Sequence, residues 1–327
     1  MAAPTSTTAS PSTATTAAVP LTAGRARTAR PSRGRDPRRT NAYLPFLVPI
    51  GLVLVVLFLV PLAQTFYYSL TNASGYSNTM RFVGLENYRR ILTDQTMLAG
   101  LTFTVLYTVA TTVLITLVAI PLAVVLNRKF FGRNFVRSVF FFPAIPSLAI
   151  LGLVWGYILS PLASGALNSL LEGLFSVGPF PWLSSDGLAR VSVIGVALWS
   201  SAGWHAVIYL AYLQSIPADY YESATVDGSS PRQQFFHITL PLLTPAIVIS
   251  QFLLLTGGLR VYDLPFTLTK GGPGYSTNTI TQSIITNGVS QGRYGLASAL
   301  SVLFTLSVAV LVVVQLVVSR RIERRVS

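Results

Sequence analysis

The chain has 327 residues, of which 51% are hydrophobic and 10% are charged, and its formal net charge is +13. A soluble globular protein normally carries about 25% charged residues, so this composition favours a protein that has lipid as its solvent. The absence of cysteine excludes disulfide bonds, thiolate metal sites and cysteine nucleophiles. The two histidines, His205 and His237, lie far apart in the sequence and form no metal-ligand pattern.

The first 40 residues consist mostly of Ala, Thr, Ser, Pro and Arg, with few large apolar side chains. Such a segment cannot bury enough surface to offset the entropy lost on ordering, so residues 1–40 are predicted to form a disordered basic tail. The run Leu44 to Ala63 then reads LPFLVPIGLVLVVLFLVPLA. It is longer than the apolar region of a signal peptide, about 7 to 15 residues, and is predicted to be a retained membrane helix.

Five more apolar segments reach or approach the roughly 20 residues that a helix needs to cross a bilayer. With the first they give six predicted spans, at about residues 44–63, 98–126, 138–159, 191–213, 242–264 and 296–318. Several contain proline, which membrane helices tolerate where neighbouring helices satisfy the freed carbonyl groups. The predicted fold class is all-α and integral to the membrane, with six transmembrane helices in one domain, residues 41–327.

The distribution of Lys and Arg predicts the orientation. Six spans put both termini on one side, and basic residues accumulate in cytoplasmic segments. With both termini inside, the inner segments hold sixteen basic residues and the outer loops six, while Arg260 lies near a helix end. This bias predicts an N-in, C-in protein and explains the net charge without nucleic acid. It also leaves three long outer segments, about 71–97, 161–190 and 265–295, as candidate docking surfaces.

A polar interruption between the fourth and fifth spans, residues 217–241, is called here the hinge loop. Asp219, followed three residues later by Glu222, can cap a new helix in a variant of the capping box. Gly228 can supply the left-handed position that ends a helix. These signals predict a short helix that stops at a glycine corner on the cytoplasmic side.

A second helix start follows the corner, where Ser230 can act as the cap, with Pro231 at the first helical position and Gln233 at the third. The prediction is a second helix at the cytoplasmic surface. An ordinary interfacial loop that merely links two spans would carry the same signals. The small side chains of Ser223 and Ala224 would, however, let the first helix enter a groove of a partner closely.

Six positions of the hinge loop follow the pattern E-x-A, three residues, G, nine residues, I-x-L-P, namely Glu222, Ala224, Gly228, Ile238, Leu240 and Pro241. This spacing resembles the cytoplasmic signature loop of permease subunits in binding-protein-dependent ABC importers. Ser223 replaces the alanine that the family most often has. The resemblance implies that the first helix is a coupling helix seated in a cleft of an ATP-binding subunit. It assigns the contact to Glu222, Ala224, Asp227 and Gly228, with Glu222 as the main polar anchor.

The stretch from Leu259 to Ser301 is similar to the corresponding part of maltose-type sugar permeases. The matching positions are Asp263, Thr269, Gly271, Gly272, Pro273, Thr277, Tyr294, Gly295, Ala297, Ser298 and Ala299. A second similar element, RFVGLENYRRIL, begins at Arg81. The T-x-GGP element belongs to the first of the two permease types that pair in these importers. The resemblance implies a second homologous permease subunit, two ATP-binding subunits, an extracytoplasmic solute-binding protein and a sugar substrate.

The chain contains no G-x-x-x-x-G-K-[ST] loop, and the lysine of TLTKGGPG precedes the glycines, so this segment cannot cradle phosphate in that way. We therefore expect no cofactor on this chain, with ATP and Mg bound by the partner ATPase subunits. We expect a transport subunit that is not an enzyme, with no catalytic and no metal-binding residues. Its expected location is a bacterial plasma membrane.

Two charged residues near the outer end of the fifth span, Arg260 and Asp263, are candidates for the solute pathway. If the segment is helical they lie one turn apart on the same face. Charges within a span should face protein or water, because burial in lipid costs about 2.5 to 3.5 kcal/mol each. A mutual ion pair that fixes the helix end is the favoured interpretation. The alternative is that one of them also lines the pathway.

The fourth span places Ser201 and Trp204 at helical spacing, beside His205. Aromatic rings stack on the apolar faces of sugars and hydroxyls bond to their polar groups. Ser201 and Trp204 also fall at positions of sugar contact in the maltose-type permease, although packing would explain Trp204 equally well. Tyr107 and Tyr157 are weaker candidates, for which helix packing is the preferred interpretation.

The predicted function is a permease subunit that translocates a sugar, of di- or oligosaccharide size, and converts closure of the ATPase pair into alternating access. Relatives also handle glycerol phosphodiesters, so this substrate class stays open. An ion-coupled secondary transporter is the alternative class, although Asp263 is the one acid clearly at membrane depth. An intramembrane enzyme would need more than His205 and nearby serines.

Overall fold

The computed structural model describes the backbone of residues 44–326 and the side chains of residues 47–317. The predicted disordered tail, residues 1–40, lies outside the described residues. Within them the backbone forms helices, loops and two isolated bridges, Thr71–Phe82 and Ser74–Ser77, which confirms the all-α prediction for this range. The described residues divide into two compact units, with the boundary between Val55 and Val56.

The helices are numbered here in chain order. They are α1 (Leu44–Leu54), α2 (Val60–Ser69), α3 (Glu86–Thr93), α4 (Gln95–Asn127), α5 (Arg133–Phe141), α6 (Leu148–Ile158), α7 (Ala166–Phe175), α8 (Asp186–Leu213), α9 (Asp219–Val226), α10 (Pro231–Gln234), α11 (Leu240–Leu242), α12 (Thr244–Leu259), α13 (Asp263–Thr269), α14 (Ile280–Ile285) and α15 (Tyr294–Val326). Wider π-helical turns occupy Val55–Leu59, Phe235–Thr239 and Thr286–Ser290, and a 3₁₀ turn occupies Phe142–Ala144.

Four helical segments are long and apolar enough to cross a membrane, at Leu47–Ser69, Gln95–Asn127, Asp186–Leu213 and Tyr294–Val317. They overlap four of the predicted spans. Two further segments qualify only as pairs bent by 93° and 64°, Arg133–Ala144 with Leu148–Ile158 and Pro231–Leu242 with Thr244–Leu259. The described residues therefore contain four candidate spans, or up to six if each bent pair is one span.

The third predicted span is broken where the sequence reads FPAIPS, residues 142–147, called here the proline break. The α-helix stops before Pro143 and passes into the 3₁₀ turn. Ser147 then starts a new helix, because its side chain accepts a hydrogen bond from the backbone N–H of Ile150 at 3.4 Å. A proline lacks the N–H that continues a helix, so two prolines this close together produce the bend.

The long helices α4, α8 and α12 enclose an apolar core in which Ile115, Ala119, Tyr209 and Leu243 are buried. Small residues permit their close approach. A Cβ added at Gly258 of α12 would lie 3.0 Å from the Thr108 side chain of α4. Close backbone approach at small residues increases van der Waals contact between helices in a membrane. The three helices consequently pack closely around the cavity that is described below as part of the candidate site.

A buried asparagine holds residues 71–97, which are predicted to lie outside and are called here the first outer segment. The Asn87 side-chain amide donates to the carbonyl oxygens of Ser69 and Thr71 at 2.9 and 2.8 Å. A Cβ at Gly295, at the start of α15, would collide with the carbonyl oxygen of Thr71, and the Gly295 N–H donates to Ala73 at 2.9 Å. The first outer segment and the start of the last long helix are therefore in direct contact.

Candidate functional site

Helix α9 forms the first half of the hinge loop. Ala218, which precedes it, already has helical backbone angles, and no side chain caps the helix start. The predicted capping box between Asp219 and Glu222 is therefore wrong: the helix begins on the carbonyl of Ala218, which accepts from Glu222 N at 3.0 Å. Both carboxylates lie in the first turn, where the helix dipole favours negative charge.

Gly228 forms the predicted corner. Its φ is +78°, the left-handed region that costs a non-glycine residue about 1–2 kcal/mol. Its N–H donates to the carbonyl of Thr225 at 3.1 Å, and the N–H of Ser229 donates to Ala224 at 2.9 Å. These two bonds define a Schellman motif, the common way in which a glycine ends a helix. The corner is confirmed.

The second helix begins as the sequence predicts. Ser230 Oγ accepts from Gln233 N at 3.4 Å, and Gln233 Oε1 accepts from Ser230 N at 2.7 Å, which is a reciprocal capping box. Pro231 occupies the first helical position, where its missing N–H costs nothing. The helix then passes through a π-helical turn, Phe235–Thr239, toward α11 and α12.

Side chains join the two halves of the hinge loop across the corner. Gln234 Nε2 donates to Thr225 Oγ1 at 3.1 Å, and the hydroxyls of Tyr221 and Thr239 lie 3.1 Å apart. Each contact joins a residue of α9 to one that follows Gly228. The sequence did not predict these contacts, because capping signals report only on neighbours in the chain.

The hinge loop presents free carboxylates. Glu222, Asp227 and Gly228 are exposed and Ala224 is half-buried, so the four predicted contact residues are brought together on a short, accessible stretch. The one salt bridge among residues 47–317, whose side chains the structure describes, lies elsewhere, between Arg90 and Glu86 at 3.2 Å. Val226 is 88% exposed within the same stretch. Sequence reasoning missed this valine, although an apolar residue in a polar loop was the available signal.

A cavity of about 240 Å³, called here the central cavity, lies between α4, α8 and the end of α12. Its walls are Tyr107, Thr111, Ile115, Leu148, Ala197, Ser201, His205, Leu253, Leu254, Gly257, Gly258, Arg260, Val261, Tyr262 and Asp263. Three of the four predicted pathway residues, Ser201, Arg260 and Asp263, thus share one cavity. Hydroxyls, one imidazole, one cation and one anion line this cavity together with apolar side chains and glycines.

Arg260 and Asp263 form no salt bridge, so the predicted ion pair is wrong. The physical reason is a break in the helix. Leu259 is the last residue of α12, Arg260 is its C-cap, and Tyr262 has φ −144° and ψ −55°, after which α13 begins at Asp263. The two charges therefore do not share a helix face, and both are exposed. Neither is engaged by a charged side chain within the described residues.

Trp204 does not line the central cavity. It borders a neighbouring space of about 250 Å³ beside the proline break, together with Pro143 and Pro146. Its ring packs edge-on against His205, with centroids 4.9 Å apart. Of the weaker candidates, Tyr107 is buried and lines the central cavity, whereas Tyr157 is exposed and does not.

His205 is held by a residue of another helix. Its Nδ1 lies 2.7 Å from Ser250 Oγ, and both residues are buried. The contact joins α8 to α12 beside the central cavity. In the part of the chain that the structure describes, no three His, Cys, Asp or Glu residues are grouped in a way that could hold a metal ion.

The T-x-GGP element closes on the threonine-rich patch that follows it. Thr277 Oγ1 lies 2.6 Å from Thr269 Oγ1 and donates to the carbonyl of Gly272 at 2.8 Å. Gly271 has φ +86°, a conformation that disfavours a side chain. Arg190, at the start of α8, donates to the carbonyl of Ser276 at 3.0 Å. These contacts give the element a structural role in shaping the third outer segment.

Residues 115–327 match the family model described as the binding-protein-dependent transport system inner membrane component. The trehalose/maltose transport system permease protein of Thermococcus litoralis is 32% identical over 275 residues, which cover 84% of this chain and 92% of the relative. The multiple sugar-binding transport system permease protein of Streptococcus mutans is 31% identical over 281 residues, covering 85% and 95%.

The fold is similar to that of a chain in the crystal structure of a bacterial ABC transporter involved in the import of the acidic polysaccharide alginate. The TM-score is 0.75 at 22% sequence identity, and the alignment covers 87% of this chain and 96% of the other. At this identity the likeness concerns the fold alone.

Proposed function

The chain belongs to the family of binding-protein-dependent transport system inner membrane components and is a sugar permease of an ABC importer, and from this premise we propose how it works. It carries a sugar, of di- or oligosaccharide size, across a bacterial plasma membrane. The movement is driven by ATP that partner ATPase subunits bind and hydrolyse with Mg. The hinge loop transmits closure of the ATPase pair to the membrane helices.

In the proposed topology, six spans cross the membrane within a transmembrane domain, residues 41–327, and both termini and the tail, residues 1–40, are cytoplasmic. The bias of basic residues toward the inner segments supports it. Each bent pair then counts as one span. This topology puts the hinge loop on the cytoplasmic side, where an ATPase can reach it, and the T-x-GGP element outside.

The proposed contact with the ATPase consists of Glu222, Ala224, Asp227 and Gly228. The exposure of Glu222, Asp227 and Gly228 supports it, as does the lack of a salt bridge from either carboxylate to another described residue. A charge that is already solvated and unpaired can form a charge-assisted hydrogen bond with a partner without first breaking one in its own chain. The exposed Val226 adds an apolar contact beside these groups.

The proposed solute pathway includes the central cavity, with Ser201, Arg260 and Asp263 as polar contacts and Trp204 in the adjoining space. At about 240 Å³ the cavity lies below the roughly 300–1,000 Å³ that small-molecule sites occupy. We infer that a second, homologous permease subunit supplies the facing wall. An extracytoplasmic solute-binding protein delivers the sugar to the pathway between the two subunits.

The observation that carries the proposal is the hinge loop, in which a Schellman corner and a capping box form the motif that the family spacing implies. The test is uptake into vesicles that contain this chain, its partner permease and the ATPase subunits, with the binding protein outside. We expect solute to accumulate only when ATP is present inside. Uptake driven by an ion gradient without ATP would refute the proposal and favour a secondary transporter.

One observation favours a second substrate class. Arg260 lines the central cavity without a carboxylate partner among the described residues, and a guanidinium binds phosphate oxygens well. A glycerol phosphodiester would use this group, whereas a neutral sugar would accept hydrogen bonds from it. Identifying the ligand of the associated binding protein by mass spectrometry distinguishes the two substrates.

A further inference from the structure

The loop between α4 and α5 combines cations with exposed aromatic rings. It reads NRKFFGRNFVR, from Asn127 to Arg137, and is called here the basic aromatic loop. Phe131 is fully exposed, Phe135 is 74% exposed, and residues 129–135 surround a shallow depression of about 410 Å³. Exposure of phenyl rings to water is unfavourable, so an exposed aromatic surface of this kind indicates a site that a membrane or a binding partner covers.

The geometry keeps the aromatic rings close to the ends of two helices. Asn127 is the last residue of α4 and Arg133 the first of α5, so only residues 128–132 connect them. Gly132 makes the turn with φ +80° and nothing lies within 4 Å of its Cβ position. A connection this short cannot extend far from the bilayer surface if both helices enter the membrane.

Three of the four cations are available to a ligand. Arg137 is already engaged, because its Nη2 donates to the carbonyl of Leu126 at 2.9 Å and so holds α5 against the end of α4. Arg128, Lys129 and Arg133 have no salt bridge and no side-chain hydrogen bond within the described residues. No Asp or Glu occurs in the sequence between Asp94 and Glu172. The charge of this loop and of the two helices that it connects is therefore uniformly positive.

We propose that the basic aromatic loop is a binding site for anionic phospholipid, in which Phe130, Phe131 and Phe135 enter the headgroup and acyl boundary while Arg128, Lys129 and Arg133 bind the phosphate groups. Aromatic and basic side chains together are the composition that favours a membrane interface. Each Lys or Arg near an anionic surface strengthens binding about fivefold. The inference goes beyond the transport function and uses only the proposed topology to place the lipid in the cytoplasmic leaflet.

The chain lacks cysteine, so Phe131→Cys introduces one thiol for a bimane fluorophore. The labelled full chain is reconstituted with phospholipids brominated in the acyl chains, either phosphatidylcholine or phosphatidylglycerol. We expect strong quenching and a clear preference for phosphatidylglycerol. Lys129→Gln and Arg133→Gln should each lower this preference about fivefold, whereas Lys129→Arg and Arg133→Lys should preserve it.

Val289→Cys, on an exposed residue of the third outer segment, is the control label and should show no headgroup preference. A label on Phe135→Cys repeats the measurement if the first variant folds poorly. Equal quenching by the two lipids, or no quenching at either position, overturns the proposal. So does quenching that disappears when ATPase subunits are added, because the loop would then bind protein.

Discussion

Ser250 Oγ lies 2.7 Å from Nδ1 of His205 within the buried contact between α8 and α12. The contact lies at the wall of the central cavity, since His205 lines that cavity. A hydrogen bond that joins two helices beside the proposed solute pathway holds the cavity wall in position and also stabilises the packing of the two helices. The first prediction concerns this bond.

Replacing His205 by alanine leaves the Ser250 hydroxyl buried without its partner, and Ser250→Ala does the same to the imidazole. Leaving a buried polar group unsatisfied costs about 1–3 kcal/mol. We expect each single variant to lower the Tm of the detergent-solubilised complex, and the double variant to lose less than the sum. Additive losses would show that the two side chains do not act as a pair.

Gly228→Val should separate ATP hydrolysis from uptake. The left-handed φ disfavours any residue with a Cβ, and most of all a β-branched one, so the corner must change shape although no atom blocks the new side chain. We expect normal insertion, near-normal basal ATPase activity and a loss of uptake. Gly228→Asn is the control, because asparagine tolerates this conformation, and it should retain more coupling. Normal uptake by the valine variant would contradict the proposed role of the corner.

Gly203→Ala should prevent close packing of α8 against the end of α5, just before the proline break. A Cβ at Gly203 would collide with the carbonyl oxygen of Phe140, which is a backbone atom. Overpacking of this kind costs about 1–3 kcal/mol or more. Gly195 of the same helix has open space around it, so Gly195→Ala should be neutral or stabilise by up to about 1 kcal/mol. Yield and Tm of the assembled complex measure both, and equal behaviour of the two variants would refute the close approach.

Arg260→Gln and Asp263→Asn test the correction to the predicted ion pair. Because the two charges do not pair in the structure, their effects on the free energy of unfolding of the unliganded complex should add, within about 0.5 kcal/mol. Each should also reduce uptake, since losing a hydrogen bond to a charged group costs about 1.5–3 kcal/mol. A double variant that is more stable than the sum of the single effects predicts would instead show that Arg260 and Asp263 form an ion pair.

The orientation can be tested with two exposed valines. Val226 in the hinge loop and Val289 in the third outer segment are 88% and 81% exposed, and the chain has no native cysteine. In intact cells, an impermeant maleimide should label Val289→Cys, and should label Val226→Cys only after the membrane is permeabilised. The opposite pattern would reverse the proposed topology.

Local signals in the sequence predicted the local features of the site. Ser230 and Gln233 form their capping box, and Gly228 forms its corner, because the groups involved are at most five residues apart. Asp219 failed as a cap because the helix begins on the preceding carbonyl, and helix ends depend on competition between adjacent residues.

Features that depend on tertiary contacts were not predictable from the sequence in the same way. Tyr107 of α4 reaches the central cavity only because α4 packs against α8. The interpretation of Arg260 and Asp263 assumed a continuous helix and missed the break at Tyr262, although Pro265 in the first turn of α13 was the available signal. In contrast, Pro143 and Pro146 can be recognised in the sequence as residues that interrupt a helix, but their spacing does not give the direction of the 93° bend.

The bond between Gln234 and Thr225 has a mechanical consequence for the hinge loop. A glycine corner alone is compliant, so it would absorb a displacement of α9 by local bending. The bond between Gln234 and Thr225 joins the residues before and after the corner and so limits this bending. The contact between the hydroxyls of Tyr221 and Thr239 is a second link of the same kind. Under the proposed coupling, a displacement of α9 should therefore reach the following helix with less local bending than a glycine corner without these contacts would allow.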